Sequence, residues 1–499
     1  MSSFSIKWIL AASAALVTVA AIRYVTRHQF PIGYDETMYV NQVLFDREVL
    51  VDQGPLVFAR KQVGTETWRP PGYRLAAAPV ALIARTETTT LRALSLASLV
   101  VTALLLFGAG HELAGVSAGL AWSLAVGCAN GSLYSELLFG TEVTLFPAIA
   151  LGLYGMARVF QREETDRVAG LALFFSAAIG GLSKLSFFVV FLPFMGMAWW
   201  LARGQRLRVA AAAGAGLLVI SPWWFFNWRD ALDYARYASG FQRHEFPWFT
   251  SAVRHLLGIP FAVGLAVAIG WLIVRTRRGG LGATLPVRKM IVACLAGTIP
   301  LLFLHIMGRN HNMRLLAPAW ILGAGIAALL LHASGAFARP AGKFIGALTL
   351  AAQALVLSIT TWFSAQPQRD WSPLRARLGD MPPRDIRIAH LGNAGGLNSP
   401  QILHAWRRHG ETIRLDRLWR WETGEIRWGR VLAHVDSADM VVIPLGITTA
   451  VDDVLGNDNA NNLGLIDSLR ARPDAWVIDT LPRTRTDSVA FLVFTRRRS

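Results

Sequence analysis

The 499-residue sequence predicts a polytopic α-helical membrane protein of about 11–13 transmembrane helices, followed by a small extracytoplasmic α/β domain. Three observations predict it. Hydrophobic residues make up 53% of the chain and charged ones only 16%, with a mean hydropathy of +0.40, whereas soluble chains carry about 25% charge. The charges are clustered, leaving long apolar stretches between them. From about residue 364 the composition turns, charge density rises, and short strand patterns alternate with helical ones. The expected domains are therefore 1–363 and 364–499.

The apolar runs lie near residues 4–22, 91–110, 115–133, 142–159, 168–183, 186–201, 209–226, 255–274, 289–306, 315–333 and 343–363. They give about eleven helices, several near the short limit for spanning. Lys7 in the first run fits a signal peptide, but the apolar part is long and lacks a small-residue cleavage site, which favours a retained helix. "GYRLAAAPVALIA" (72–84) is apolar but short, and reads as an interfacial or re-entrant segment. Cys128 and Cys294 fall inside apolar runs without metal-ligand spacing and read as small core residues.

The net charge of +17 is concentrated in short loops. "ARVFQREETDR" (157–167), "ARGQRLR" (202–208), "RTRRGGLGATLPVRK" (275–289) and "ARPAGK" (338–343) are basic, and the positive-inside rule places them in the cytoplasm. Basic loops of this kind mark membrane orientation, so nucleic acid is not an expected partner. Counting back places the N-terminus inside and residues 23–90, 227–254 and the C-terminal domain outside. The absence of a disulfide framework in that domain, with a composition rich in Ala, Arg and Gly, fits the inner membrane of a bacterium, with the domain in the periplasm.

In the C-terminal region "DIRIAHLG", "ETIRLD", "ADMVVIPLG", "AWVIDTL" and "SVAFLVFT" read as strands. "SPQILHAWRRHG" and "NNLGLIDSLRARP" read as helices. The alternation predicts a mainly parallel sheet. "HLGNAGG" lacks the spacing of a dinucleotide fingerprint and reads as a glycine-rich turn. "DDVLGNDNANN" lacks the full calcium-loop pattern and reads as a polar loop.

Under this topology one face gathers ionisable residues from five separate stretches of sequence. They are Asp35 and Glu36, Arg69, Glu136 and Glu142, Lys184, and Arg309, His311 and Arg314. Charges beside hydrocarbon pair, line a cavity or meet a charged ligand. Each also has a simpler reading. Lys184 could snorkel, and Glu136 and Glu142 could favour a helix N-terminus. "WRPPGYR" could be only a rigid turn, and Asp35 and Glu36 could cap an interfacial helix through "ETMYVNQVLFD". Arg314 at a helix start opposes the dipole and points to a partner anion. A transporter or flippase of a lipid-linked or anionic substrate would also use such charges. It would place them at the midplane, and here they lie at one face.

The order of these features resembles the GT-C glycosyltransferase superfamily, in the branch of aminoarabinose transferases and protein O-mannosyltransferases. "YDETMYV" matches that family's acidic motif at the start of the first outer loop, and "WRPPGYRL" its basic-or-His, Pro-Pro motif. "YSELLFGTE" matches the next acidic position with Glu142, and "GGLSKLSF" the lysine that ends a membrane helix. "SPWWFFNWR" and "NMRLLAPAW" match two later stretches, so the likeness runs in order over about residues 1–335. Arg69 stands where protein mannosyltransferases have His, and Ser183 where Thr is common. The resemblance implies a sugar donor linked to polyprenyl phosphate, with its tail among the membrane lipids, and an acceptor (glycan, lipid or protein) that it does not identify. It implies Asp35 as general base, with Glu36 or Glu142 orienting the acceptor hydroxyl. Lys184, Arg314 and Arg309 would bind the donor phosphate, and Arg69, Tyr73, Glu136 and His311 would bind substrate. A single base displacing a lipid phosphate implies inversion. No ligand spacing demands a metal, so a divalent ion is not favoured, although Asp35, Glu36, Glu142 and His311 could supply ligands.

Overall fold

A computed structural model of the chain describes residues 3–27, 33–64, 67–84, 88–131, 138–162, 166–239, 250, 252–278, 282–307, 313–363, 386–390, 413–417, 428–445, 458–481 and 490–497. By its contacts the chain divides into two compact units: Met1–Gln29 with Val43–Ser364, and Phe30–Gln42 with Ala365–Ser499. The segment 30–42 thus groups with the C-terminal region.

The first unit is helical. Its helices are α1 (Ser3–Arg27), α2 (Gly33–Asp52, whose first part belongs to the second unit), α3 (Gly54–Gly64), α4 (Gly72–Ile83), α5 (Thr88–Ala114) and α6 (Val116–Gly127). They continue with α7 (Glu142–Gln161), α8 (Arg167–Gly181), α9 (Leu185–Leu201), α10 (Arg206–Ser239), α11 (Ile259–Arg277), α12 (Leu285–Met307), α13 (Ala317–Ala333) and α14 (Pro340–Phe363). Each of the eleven apolar runs contains a helix. Six helices among the described residues are long and apolar enough to cross a membrane by length and composition. The segment at 72–84 forms only the short helix α4, and Cys128 and Cys294 are buried thiols.

Helix α7 is the hub, buried along almost its whole length against α5 and α8. Lipid tails are as apolar as leucine, so such helices associate through close packing and interhelical hydrogen bonds. Accordingly, α7 carries small buried residues (Ala148, Ala150, Ala157), and Ser176 of α8 donates to the Ala148 carbonyl at 2.6 Å. Trp122 of α6, fully buried, donates to the Ile321 carbonyl of α13 at 2.8 Å. Helix α1 packs on α14. Helices α2, α3 and α4 share a separate small core of Val49, Phe58 and Ala78, with Phe45 and Leu50 against it.

The basic segments gather at one end of this bundle. Arg158, near the end of α7, donates to Glu112 of α5 at 3.1 Å and to the Tyr154 hydroxyl at 2.9 Å, and also pairs with Asp166. Arg162 donates to Glu112 at 3.0 Å. Asp166 caps α8, accepting from the Val168 and Ala169 amides. Burial acts to raise the Asp166 carboxyl, but the Arg158 hydrogen bond and charge and those two amides outweigh it and hold it below the usual carboxylate range. Gln205 donates to the Arg162 carbonyl at 2.7 Å, which brings 202–208 to the same end. Lys289 lies 5.7 Å from the Phe160 ring centre, and Arg339 lies 4.9 Å from that of Trp271.

The second unit contains a five-stranded sheet of order β2-β1-β3-β5-β4, built from β1 (Ile386–His390), β2 (Ile413–Arg417), β3 (Met440–Leu445), β4 (Trp476–Leu481) and β5 (Ala490–Arg496). All five strands fall where the sequence places them. The sheet, however, is mixed and not mainly parallel: β1 pairs parallel with β2 and β3, and β5 runs antiparallel to both β3 and β4. The β4–β5 connection is too short for a crossover, which forces a reversal there. Helices α15 (Trp428–Asp436) and α16 (Asp458–Arg470) flank the sheet, and α15 has no counterpart in the sequence reading. Leu465, Ile466 and Leu469 of α16 and Val431 and Val435 of α15 pack with Val441, Ile443 and Phe494. The helix expected over "SPQILHAWRRHG" lies outside the described residues.

Candidate functional site

At the end of α7 opposite the basic segments, three sequence motifs meet. Glu142 is the first residue of α7, where the helix dipole favours a carboxylate. Its side chain is 1% exposed, so it needs a partner. Lys184 supplies it. Gly181 ends α8, the chain turns, and Lys184 stands in extended backbone just before α9. Its Nζ donates to Glu142 Oε1 at 3.1 Å, and the Thr141 hydroxyl donates to Oε2 at 3.2 Å. Lys184 remains 27% exposed, so this ion pair has a buried acid and an accessible cation.

The "WRPPGYR" segment docks on the same turn. The Gly72 amide donates to the Leu182 carbonyl at 2.6 Å. A Cβ on Gly72 would lie 2.6 Å from that oxygen and 3.1 Å from Thr144 Oγ1. Only glycine lets the backbone approach this closely. Tyr73, fully buried, stands edge-on to Phe139 with centroids 6.2 Å apart. Arg74 pairs with Asp46 of α2.

Helix α10 supplies the fourth side. Trp224 donates to the Gly181 carbonyl at 2.8 Å, and Asn227 donates to the Val63 carbonyl at 2.8 Å. Gly181 is also a close approach, since a Cβ there would strike Ile220 of α10. Further along α10, Tyr234 accepts from Arg69 Nη2 at 2.6 Å. The Arg69 guanidinium lies 4.3 Å from the Trp68 ring centre and 5.0 Å from that of Tyr234, so two aromatic faces orient it.

The other expected residues are placed as follows. Asp35 and Glu36 lie in the first turns of α2, inside the helix and not at its cap. Glu36 is 2% exposed, while the Asp35 side chain lies outside the described residues. Glu136, Arg309 and His311 lie outside them altogether. Arg314 is in the 3-10 turn Met313–Leu316 that precedes α13, and its side chain is not among those described. The structure therefore joins Glu142, Lys184 and the Arg69–Tyr73 segment through α7, α8 and α10.

Sequence reading missed Asp46, Gly72, Thr144, Trp224 and Tyr234. A glycine directly after Pro-Pro was the available signal for Gly72; Asp46 and Tyr234 carried none, because their partners are distant in the chain. Among the described residues no three His, Cys, Asp or Glu side chains converge as metal ligands, and Glu142 is engaged by Lys184. Of the other candidate ligands, the Asp35 and His311 side chains lie outside the described residues.

No family model matches the sequence, and neither does any curated protein. Solved structures do. ArnT from Cupriavidus metallidurans in the apo state matches with a TM-score of 0.63 at 13% identity, over 98% of this chain and 98% of that one. ArnT from the same organism bound to undecaprenyl phosphate matches at 0.62 and 12% identity, over 99% and 98%. This is the GT-C fold. A third GT-C structure, the Archaeoglobus fulgidus oligosaccharyltransferase in complex with Zn and sulfate, gives 0.54 at 11% identity, over 97% of this chain and 72% of that one. The GT-C likeness extends through the C-terminal sheet, since the ArnT matches cover nearly the whole chain.

Proposed function

We propose that the chain is a membrane glycosyltransferase. It moves a sugar, hexosyl or pentosyl, from a polyprenyl-phosphate donor to an acceptor hydroxyl, with inversion. The observation that carries this reading is the Glu142–Lys184 pair, assembled from motifs far apart in sequence within a fold shared with an ArnT that binds undecaprenyl phosphate. An ammonium has three donors, so Lys184 can meet a phosphate while keeping Glu142. As the sugar–phosphate bond breaks, negative charge grows on the phosphate, and a preset cation stabilises it. Arg314 and Arg309 would add to that charge. Asp35 takes the acceptor proton as general base, and Glu36 or Glu142 orients the hydroxyl. Arg69, held between Trp68 and Tyr234, binds donor or acceptor. Glu136 and His311 complete the binding set, and buried Tyr73 holds the loop. We place the basic end in the cytoplasm and the site end, with the C-terminal unit, at the periplasmic face of a bacterial inner membrane.

The deciding experiment is sugar transfer from a polyprenyl-phosphate donor in proteoliposomes, comparing the wild type with Asp35→Asn. Loss of a general base costs roughly 10²–10⁴-fold. Undiminished transfer by Asp35→Asn would remove Asp35 as the base. Failure of the wild type to consume any such donor, with movement of lipid-linked substrate across the bilayer, would convert the reading to a flippase.

A further inference from the structure

We infer that Asp46 and Arg74 form a positioning pair that sets the register of the Arg-Pro-Pro-Gly loop on the Glu142–Lys184 turn, an inference that rests on the transfer reading above. Arg74 Nε donates to Asp46 Oδ2 at 2.6 Å and Nη2 to Oδ1 at 2.5 Å, a two-pronged fork. Both side chains are 1% exposed. Gln62 of α3 donates to the same Oδ1 at 3.2 Å, so the acid ties three helices together.

A buried ion pair of this kind is a poor device for stability. Removing two charges from water is costly, and apolar residues of similar volume often serve as well or better. The fork does fix geometry, because a guanidinium meets a carboxylate in one plane and one register. Arg74 is the third residue of α4, where a cation opposes the helix dipole. The Asp46 carboxylate offsets that cost. Two residues earlier is Gly72, whose amide is bonded to Leu182 and whose Cα faces Thr144. Leu182 is two residues before Lys184, and Thr144 is two residues after Glu142. A slip of Arg74 would move Gly72 off both contacts and loosen the turn that sets the 3.1 Å pair. Asp46 and Arg74 act through Gly72, so they are positioning residues and touch no substrate.

The test uses full-length protein and two variants. The double variant Asp46→Leu with Arg74→Met replaces the pair by apolar side chains, and Arg74→Lys keeps the charge without the fork. The double variant is expected to unfold near the wild-type temperature, since the gain from removing two buried charges is offset by leaving the buried Gln62 amide without its acceptor. Its KM for donor should stay within about twofold, while its kcat falls on the order of 100-fold, the usual effect of a displacement of about 1 Å. Amide hydrogen exchange across 70–76 and 180–186 should quicken. Arg74→Lys should show the same kcat loss and exchange in weaker form, and it carries the test if the double variant does not fold. Wild-type kcat or unchanged exchange in a folded variant overturns the inference. If the wild type transfers no sugar from any polyprenyl-phosphate donor, the transfer reading falls, and exchange alone then decides the positioning role.

Discussion

The two ends of helix α7 are built from the same kinds of side chains and do different things with them. At its last turn Arg158 and the more exposed Arg162 each meet both Glu112 and Asp166, and Arg158 also meets Tyr154 while Asp166 caps a helix. At its first turn Glu142 is buried, but its partner Lys184 keeps an open side. A closed network gives cohesion between α5, α7 and α8. A pair with one exposed cation can accept a further anion. Exposure alone does not separate the two ends, since Arg162 is 46% and Lys184 27% exposed; what differs is that Arg158 and Arg162 each meet two carboxylates while Lys184 meets Glu142.

Substitutions sharpen that contrast. The largest effect is expected at the open end: Lys184→Met should lower transfer on the order of 10²–10³-fold, the size found when one transition-state donor is removed, and should also lower the unfolding temperature, because buried Glu142 loses its cation. The check is single-turnover sugar transfer. Gly72→Ala follows, because its Cβ meets backbone that cannot retreat. It should lower the unfolding temperature by the equivalent of about 1–3 kcal/mol and cut transfer at least tenfold. At the last turn, Arg158→Met should cost stability alone, by about 1–3 kcal/mol, with transfer within twofold. Equal loss of transfer at both ends would erase the distinction.

The pH response belongs to the closed end. The folded-state carboxyl of Asp166 is held below its ordinary value, so its stabilisation is fully present above the unfolded value of about 3.9 and is lost as pH falls through the depressed folded value. The unfolding temperatures of wild type and Asp166→Asn should therefore differ near neutrality and converge in strong acid. The smallest effect is expected from Tyr234→Phe. It leaves the ring beside Arg69 and removes one hydrogen bond, worth about 1 kcal/mol, so donor KM should rise severalfold with kcat retained. Tyr234→Ala should cost more in the same assay.

The helices were legible because long apolar runs permit little else, and the five strands because short β-rich segments sat between turn residues. Strand direction was not legible, since alternation carries no sign: β5 reads like its neighbours and runs against them. In the site, Glu142 and Lys184 could be found because a charge in an apolar stretch is costly and therefore conspicuous. Arg74 was visible but mute, because its meaning depends on Asp46, a carboxylate in an ordinary polar stretch of α2. Tyr234 fell in the segment 227–254, expected as an outer loop, whereas α10 continues through Ser239 and carries it to Arg69.

That continuity also supplies a depth gauge. Helix α10 starts at Arg206, among the basic segments, and Trp224 on the same helix touches the turn that carries Lys184. Eighteen residues of helix rise about 27 Å, close to the roughly 30 Å of a bilayer's hydrocarbon. On the membrane placement proposed above, Lys184 would sit near the level where lipid phosphates lie, at a height set by a helix that cannot stretch. Thicker bilayers should submerge the lysine and thinner ones lift it clear, so turnover should pass through a maximum as acyl chains lengthen.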